Sequence, residues 1–362
     1  MPNKKGHFEE SAETAEQRAA SKRRLTLVGA GLTLFGIGIF SYFIYSVGIS
    51  EILHNVGRFG IVGFVVILAI YFVRILLRSA AWKLSVYEPY SLRIKDTMPA
   101  VIIGEAMSSM IPLGILISGT AKAVAVRKRV PLVVGLSSIA TENLFYSFTT
   151  SIFLMLGALT FLRFFNGDEI FRLTIDVLIV ILFALLLLGV LMLVRQWHFA
   201  SETCEWLYRR GFLTRILENG RLEVRLFENL IYGFYRKYPA RFLPISLLEA
   251  GFHLLGVFEV WFILQRITES SPQLLNAFLL ESVSRLITIV FKLVPFLIGV
   301  DEAGAQFIGD AVGLAAGIGI TLAIIRKGRI MFWTAIGLIL IVKRGLTLRE
   351  ISEAERPPIS GS

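Results

Sequence analysis

Charge is spread along this 362-residue chain so that long stretches carry almost none. Leu25–Val47 is free of charge, Leu173–Val194 holds only Asp176, and Ala303–Ile325 holds only Asp310. At 1.5 Å per helical residue, each run can cross a hydrocarbon core about 30 Å thick. Few folds tolerate such runs, because backbone donors and acceptors in hydrocarbon must be satisfied within the chain. The chain is 55% hydrophobic and 18% charged, with a mean hydropathy of +0.70. The expectation is an all-α, polytopic membrane bundle of about eight spans, two of them re-entrant or broken.

Several functional classes are excluded at this level. One cysteine, Cys204, allows neither a disulfide framework nor a multi-thiolate metal site. His7, His54, His198 and His253 form no spaced ligand pair. The net charge of +10 follows from the basic cytoplasmic loops of membrane proteins, not from a nucleic-acid groove. No Walker loop, nucleotide fingerprint, zincin motif or nucleophile elbow is present. No catalytic residue, cofactor or metal is expected, and the chain is read as a non-enzyme.

Apolar segments lie at about 25–47, 59–77, 97–121, 130–162, 173–194, 242–265, 273–300, 303–325 and 330–342. Residues 1–24 and 346–362 read as polar tails flanking a membrane domain over 25–345. Segment 97–121 contains Pro99, Glu105 and Pro112, and proline breaks the helical ladder. The stretch from Lys292 to Gly304, with Pro295 and Gly299, offers a second break. Paired interruptions in the two halves of a chain point to a binding site at an internal repeat. Gly309, Gly313 and Gly317, four apart, suggest a smooth helix-packing face.

Loop charges orient the chain. The tail holds Lys4, Lys5, Arg18, Lys22, Arg23 and Arg24, and the 78–96 loop holds Arg78, Lys83, Arg93 and Lys95. Both these and the basic 195–241 connection are placed in the cytoplasm of a bacterial plasma-membrane protein. Four basic residues in Lys122–Arg129 keep to that rule if 97–121 enters and leaves from the cytoplasmic side. Arg326-Lys327-Gly328-Arg329, read as a loop, breaks it. Residues 201–238 form an amphipathic pattern, with Leu213, Ile216, Leu217, Val224, Phe227, Leu230, Ile231 and Phe234 on one face. Arg215, Glu218, Arg221, Arg225 and Glu228 fall elsewhere. A surface helix and an elbow packed on the bundle both fit.

Charged groups inside apolar segments need a reason. The candidates are Glu105, Glu142, Asp176, Glu249, His253, Glu259, Glu281, Arg285, Lys292, Asp301, Glu302 and Asp310. Asp176 lies near a span end, where it can reach headgroups. Glu249 and His253, four apart, suit either a helix-stabilising pair or a proton relay; Glu281 and Arg285 suit mutual neutralisation. Asp301 and Glu302 suit either the capping of a helix start or the lining of a cavity.

The run Arg74-Ile-Leu-Leu-Arg78-Ser-Ala-Ala-Trp82 resembles the end of an early span in the lysylphosphatidylglycerol synthase transmembrane-region family. In the family's order follow Ile111-Pro112 through Gly119, Lys122 and Arg127, then Glu142-Asn143 and Tyr146, then Pro295, Gly299 and Glu302. Lys122 stands where arginine is usual, and Asn143 and Tyr146 replace an arginine and an aspartate. The synthases' aminoacyl-transferase domain has no counterpart in these residues, so lipid aminoacylation is not expected. The resemblance implies a flippase-like lipid translocase, with a membrane lipid as substrate. Its expected site is Arg74, Arg78, Pro112, Lys122, Arg127, Glu142, Pro295, Gly299, Asp301 and Glu302. The alternative is a non-transporting accessory to a cell-envelope lipid enzyme, as a homo-oligomer or with that enzyme as partner.

Overall fold

The computed structural model describes residues 45, 49–110, 114–164, 169–210, 214–269, 272–291, 294 and 297–344. The two expected tails, Pro112, Lys292 and Pro295 lie outside the described residues, as does nearly all of the 25–47 run. The helices are α1 Ile49–Leu84, α2 Ile94–Met110, α3 Gly114–Ala125, α4 Leu132–Phe164, α5 Glu169–Arg195 and α6 Phe199–Arg209. They continue as α7 Thr214–Lys237, α8 Phe242–Ile267, α9 Leu274–Val290, α10 Val300–Ala311 and α11 Ile318–Lys343. Among the described residues four helical stretches are long and apolar enough to cross a membrane: Ile52–Leu84, Leu132–Arg163, Arg172–Leu191 and Pro239–Ile267. The fold is therefore the all-α membrane bundle that the charge pattern demands.

Helices α1 and α8 form the spine and run antiparallel. Arg58 near the start of α1 donates to the Thr268 carbonyl just beyond α8. Arg241, just before α8, donates to the carbonyls of Leu84 and Val86. This second end of the bundle is the basic one. Arg129 pairs with Asp96 there at 3.5 Å, and Arg344 donates to the Ala125 carbonyl. Because Asp96 opens α2 and Arg129 follows α3, the α2–α3 hairpin enters and leaves at one end, as the basic run Lys122–Arg129 required.

The same four-helix unit occurs twice. α1–α4 and α8–α11 each comprise a long helix, a 17-residue helix, a 12-residue helix and another long helix. The packing repeats as well: α2 lies on α11 as α9 lies on α4, and α11 touches α1 as α4 touches α8. With α1 and α8 antiparallel, the two units are inverted. The helices α9 and α10 accordingly fold at the end opposite α2 and α3. Ala277, Ile308, Ala311 and Leu314 all pack with Ile267 and Ile318.

Two apolar clusters cap this arrangement. One gathers Phe59, Ile67, Phe153, Ile263 and Leu322 at the first end. The other gathers Trp82, Leu92, Val101, Val126 and Ile139 at the basic end. Between them α1, α4, α8 and α11 carry their charged residues.

Several segment boundaries differ from the sequence expectation. Residues 303–325 are not one span; α10 ends at Ala311 and α11 begins at Ile318. Gly313 and Gly317, at φ 75° and 80°, form the turn between them and are not a packing stripe. Gly319, two residues further on, does serve close packing: a Cβ there would lie 2.4 Å from the Ala305 carbonyl oxygen. Arg326, Lys327 and Arg329 are not in a loop. They sit inside α11, and the charge rule that they seemed to break does not apply to them.

The 201–238 connection divides into α6 and α7. The end of α7 is an elbow packed on the bundle: Tyr235 stacks on Phe145 of α4 at 5.5 Å, and Phe234 is buried. Glu228, expected on the polar face, is buried and accepts from the Ser201 hydroxyl at 2.6 Å.

Candidate functional site

The layer between the apolar clusters is built of ion pairs. Glu281 on α9 is fully buried and accepts from three arginines: Arg285 at 2.7 Å, Arg326 at 2.8 Å and Arg74 at 3.4 Å. Glu259 on α8 accepts from Arg74 at 3.0 Å and from Arg329. Four helices are thus tied together by two carboxylates. Gly256 makes room for the larger hub, since a Cβ there would lie 2.4 Å from the Glu281 carboxylate. Aromatic faces cover the guanidinium groups. Arg74 lies 4.3 Å from the Phe252 ring centroid, Arg329 4.1 Å from Tyr71, and Arg78 4.6 Å from Tyr146. Removing such charges from water is costly, and mutual pairing with good geometry offsets that cost.

Next to these hubs the pairing is incomplete. Arg78 donates from Nε and Nη2 to one oxygen of Glu142, at 3.1 and 2.9 Å. Lys122, in the last turn of α3, is 5% exposed, and among the described residues no ion pair to it forms. Its stem lies against Gly104 of α2, where a Cβ would come within 2.7 Å of Lys122 Cγ. Its ammonium stands in the field of Arg78, Glu142, Glu105 and Glu249. Glu249 is fully buried; among the described residues no donor reaches its oxygens, and its carboxyl lies against that of Glu142. The helix-stabilising Glu249–His253 pair is therefore not formed. His253 turns Nε2 to the Thr150 hydroxyl at 3.0 Å and leaves Nδ1 without a partner.

The expected site residues divide between three places. Arg74, Arg78, Lys122 and Glu142 meet in the central layer, although Arg74 is committed to the hubs. Gly299, at φ 82°, caps α10, and its N–H donates to Glu302 at 2.8 Å. Glu302 also binds Lys327 of α11, so its capping role and its place in the buried charge layer coincide. Asp301 is buried in the same turn, in the field of Arg326. Arg127 is exposed in the turn after α3, at the basic end, beyond the layer. Of the remaining candidates, Glu105 accepts from Tyr71 at 3.0 Å. Asp310 accepts from Gln306 at 2.6 Å, and Asp176 is exposed on α5. Among the described residues no cluster suits a metal ion.

Sequence reasoning missed Arg326, Lys327 and Arg329 as site residues. The available signal was periodic: 326 and 329 fall on one helical face, and the apolar segments held more acids than bases.

No curated protein and no solved structure matches the chain. The family model for the lysylphosphatidylglycerol synthase TM region matches residues 27–337. It covers the first unit, the second up to residue 337 of α11, both hairpins and the charged layer between them. The chain is a multi-pass membrane protein that belongs to the lysylphosphatidylglycerol synthase transmembrane-region family.

Proposed function

We propose that this protein moves the headgroup of a membrane lipid between leaflets, without catalysing a covalent reaction. The observation that carries the reading is Lys122: a buried cation without an ion-pair partner, on a hairpin, in a layer where the neighbouring arginines are paired. An unpaired ammonium at that depth is disfavoured unless an anion joins it. A lipid phosphate fits, because its acyl chains can stay in the bilayer while the headgroup alone enters the polar layer. The inverted units support the reading, since each hairpin opens toward its own end and the charged layer lies between them. On this reading the basic end, with Arg127, Arg129 and Arg241, faces the cytoplasm, where it would attract anionic headgroups.

The test is reconstitution into liposomes with fluorescent lipid probes and an outer-leaflet quencher. The wild-type protein is expected to accelerate flip of an anionic phosphatidylglycerol probe. Lys122→Gln is expected to slow it about tenfold, the equivalent of about 1.4 kcal/mol of lost headgroup interaction. Flip by Lys122→Gln at the wild-type rate would remove Lys122 from the site. No acceleration for any headgroup would favour the accessory role, in which lipid is held for a partner enzyme.

A further inference from the structure

The unpartnered carboxylate Glu249 lies in the same cluster as Lys122, and the two are complementary. Glu249 is buried on α8 against Glu142, no donor hydrogen-bonds to its oxygens, and its ionised form is supported only by the field of Lys122 and Arg78. The groups that face it are Arg78 from α1, Lys122 from α3 and Glu142 from α4. From α9, Arg285 and Glu281 bear on the next titratable group of the helix, His253, and bind each other. From α11, Arg329 is held by Glu259. Two cations, Arg78 and Lys122, thus meet the carboxyl groups of Glu142, Glu249 and, from α2, Glu105, which accepts from Tyr71; Arg78 is hydrogen-bonded to Glu142.

An anionic headgroup drawn to Lys122 and Arg78 adds one negative charge and occupies the two cations that support an ionised Glu249. One proton on Glu249 restores the balance and removes the like-charge contact with Glu142. We propose that Glu249 is a proton-binding site coupled to the headgroup site, so that one proton and one monoanionic headgroup cross together. The proton comes from water at the face to which the layer is open and forms an O–H bond on the Glu249 carboxylate. It returns to water at the opposite face as the headgroup leaves. This inference rests on the lipid-translocation reading and adds its driving force.

The experiment uses the full chain in liposomes with trace anionic phosphatidylglycerol and zwitterionic phosphatidylcholine probes, with protein-free vesicles as the blank. A gradient of one pH unit is imposed and the probe in each leaflet is measured at steady state. Electroneutral coupling of one proton to one anion predicts a leaflet ratio of about tenfold for the anionic probe, accumulating away from the acid side. The zwitterionic probe is expected to remain evenly divided. Glu249→Gln is expected to carry the anionic probe to an even distribution whatever the gradient. An even distribution in the wild type, with flip still accelerated, overturns the coupling and leaves translocation standing. Accumulation by Glu249→Gln equal to the wild type removes Glu249 from the role. Flip of neither probe overturns translocation and the coupling with it. The wild-type ratio reads the coupling even where the variant does not fold.

Discussion

Glu281→Gln is expected to lose about 3–5 kcal/mol of stability, the usual effect of removing one partner from a buried ion pair. The substitution keeps the shape of the side chain and removes the charge that Arg74, Arg285 and Arg326 share. A loss of that size is a large part of what holds a domain folded. The measurement is thermal unfolding of the detergent-solubilised protein, followed by size-exclusion chromatography, together with the yield of monodisperse material. Adding Arg326→Gln removes one orphaned cation and is expected to recover about 1–3 kcal/mol, because residues in one network are not additive. A Glu281→Gln protein that melts with the wild type would show that the three arginines find other anions and that Glu281 is not the hub.

The second large effect is expected at Gly319, and it separates two kinds of glycine. A Cβ there would meet the Ala305 carbonyl oxygen at 2.4 Å and Gln306 Cα at 2.6 Å. Both are backbone atoms of α10, so no side chain can rotate away. Gly319→Ala must push α10 from α11, at a cost of about 1–3 kcal/mol by analogy with overpacked cores. It is also expected to disturb the neighbouring Lys327–Glu302 pair that joins the same two helices. Gly309→Ala is the control, since its Cβ would sit 3.7 Å from the nearest atom in ordinary contact. Helix propensity then makes that change neutral or mildly stabilising. Equal melting of the two variants would refute the close approach of α10 and α11.

These two positions show how far the sequence reaches. Glu281 stands out as an acid in an apolar stretch, and its spacing to Arg285 reveals one partner of three. Arg74 and Arg326, separated from it by 207 and 45 residues, are brought to it only when α1, α9 and α11 pack. Gly319 gives no local sign at all. The glycines with a visible four-residue spacing, Gly313 and Gly317, turned out to serve a turn. Equal spacing does not distinguish a smooth helical face from two residues that adopt positive φ. Arg326, Lys327 and Arg329 were misread for a related reason. Charge density marks loops when the surroundings are water or lipid, but here the surroundings are acids contributed by other helices.

The distribution of charge by itself determined that the chain is a helical membrane bundle, because hydrocarbon admits only helices and closed barrels, and unbroken apolar runs of this length fit helices and not barrel strands. The proline-broken segment and the basic run after it likewise determined a hairpin returning to its own side. Tertiary packing alone decided that the two halves form inverted units. It also decided that most buried charges neutralise one another across α1, α8, α9 and α11, and that Lys122 and Glu249 form no ion pair among the described residues. Pairing depends on distances between helices far apart in the chain, and no local pattern encodes which buried charge will lack a partner.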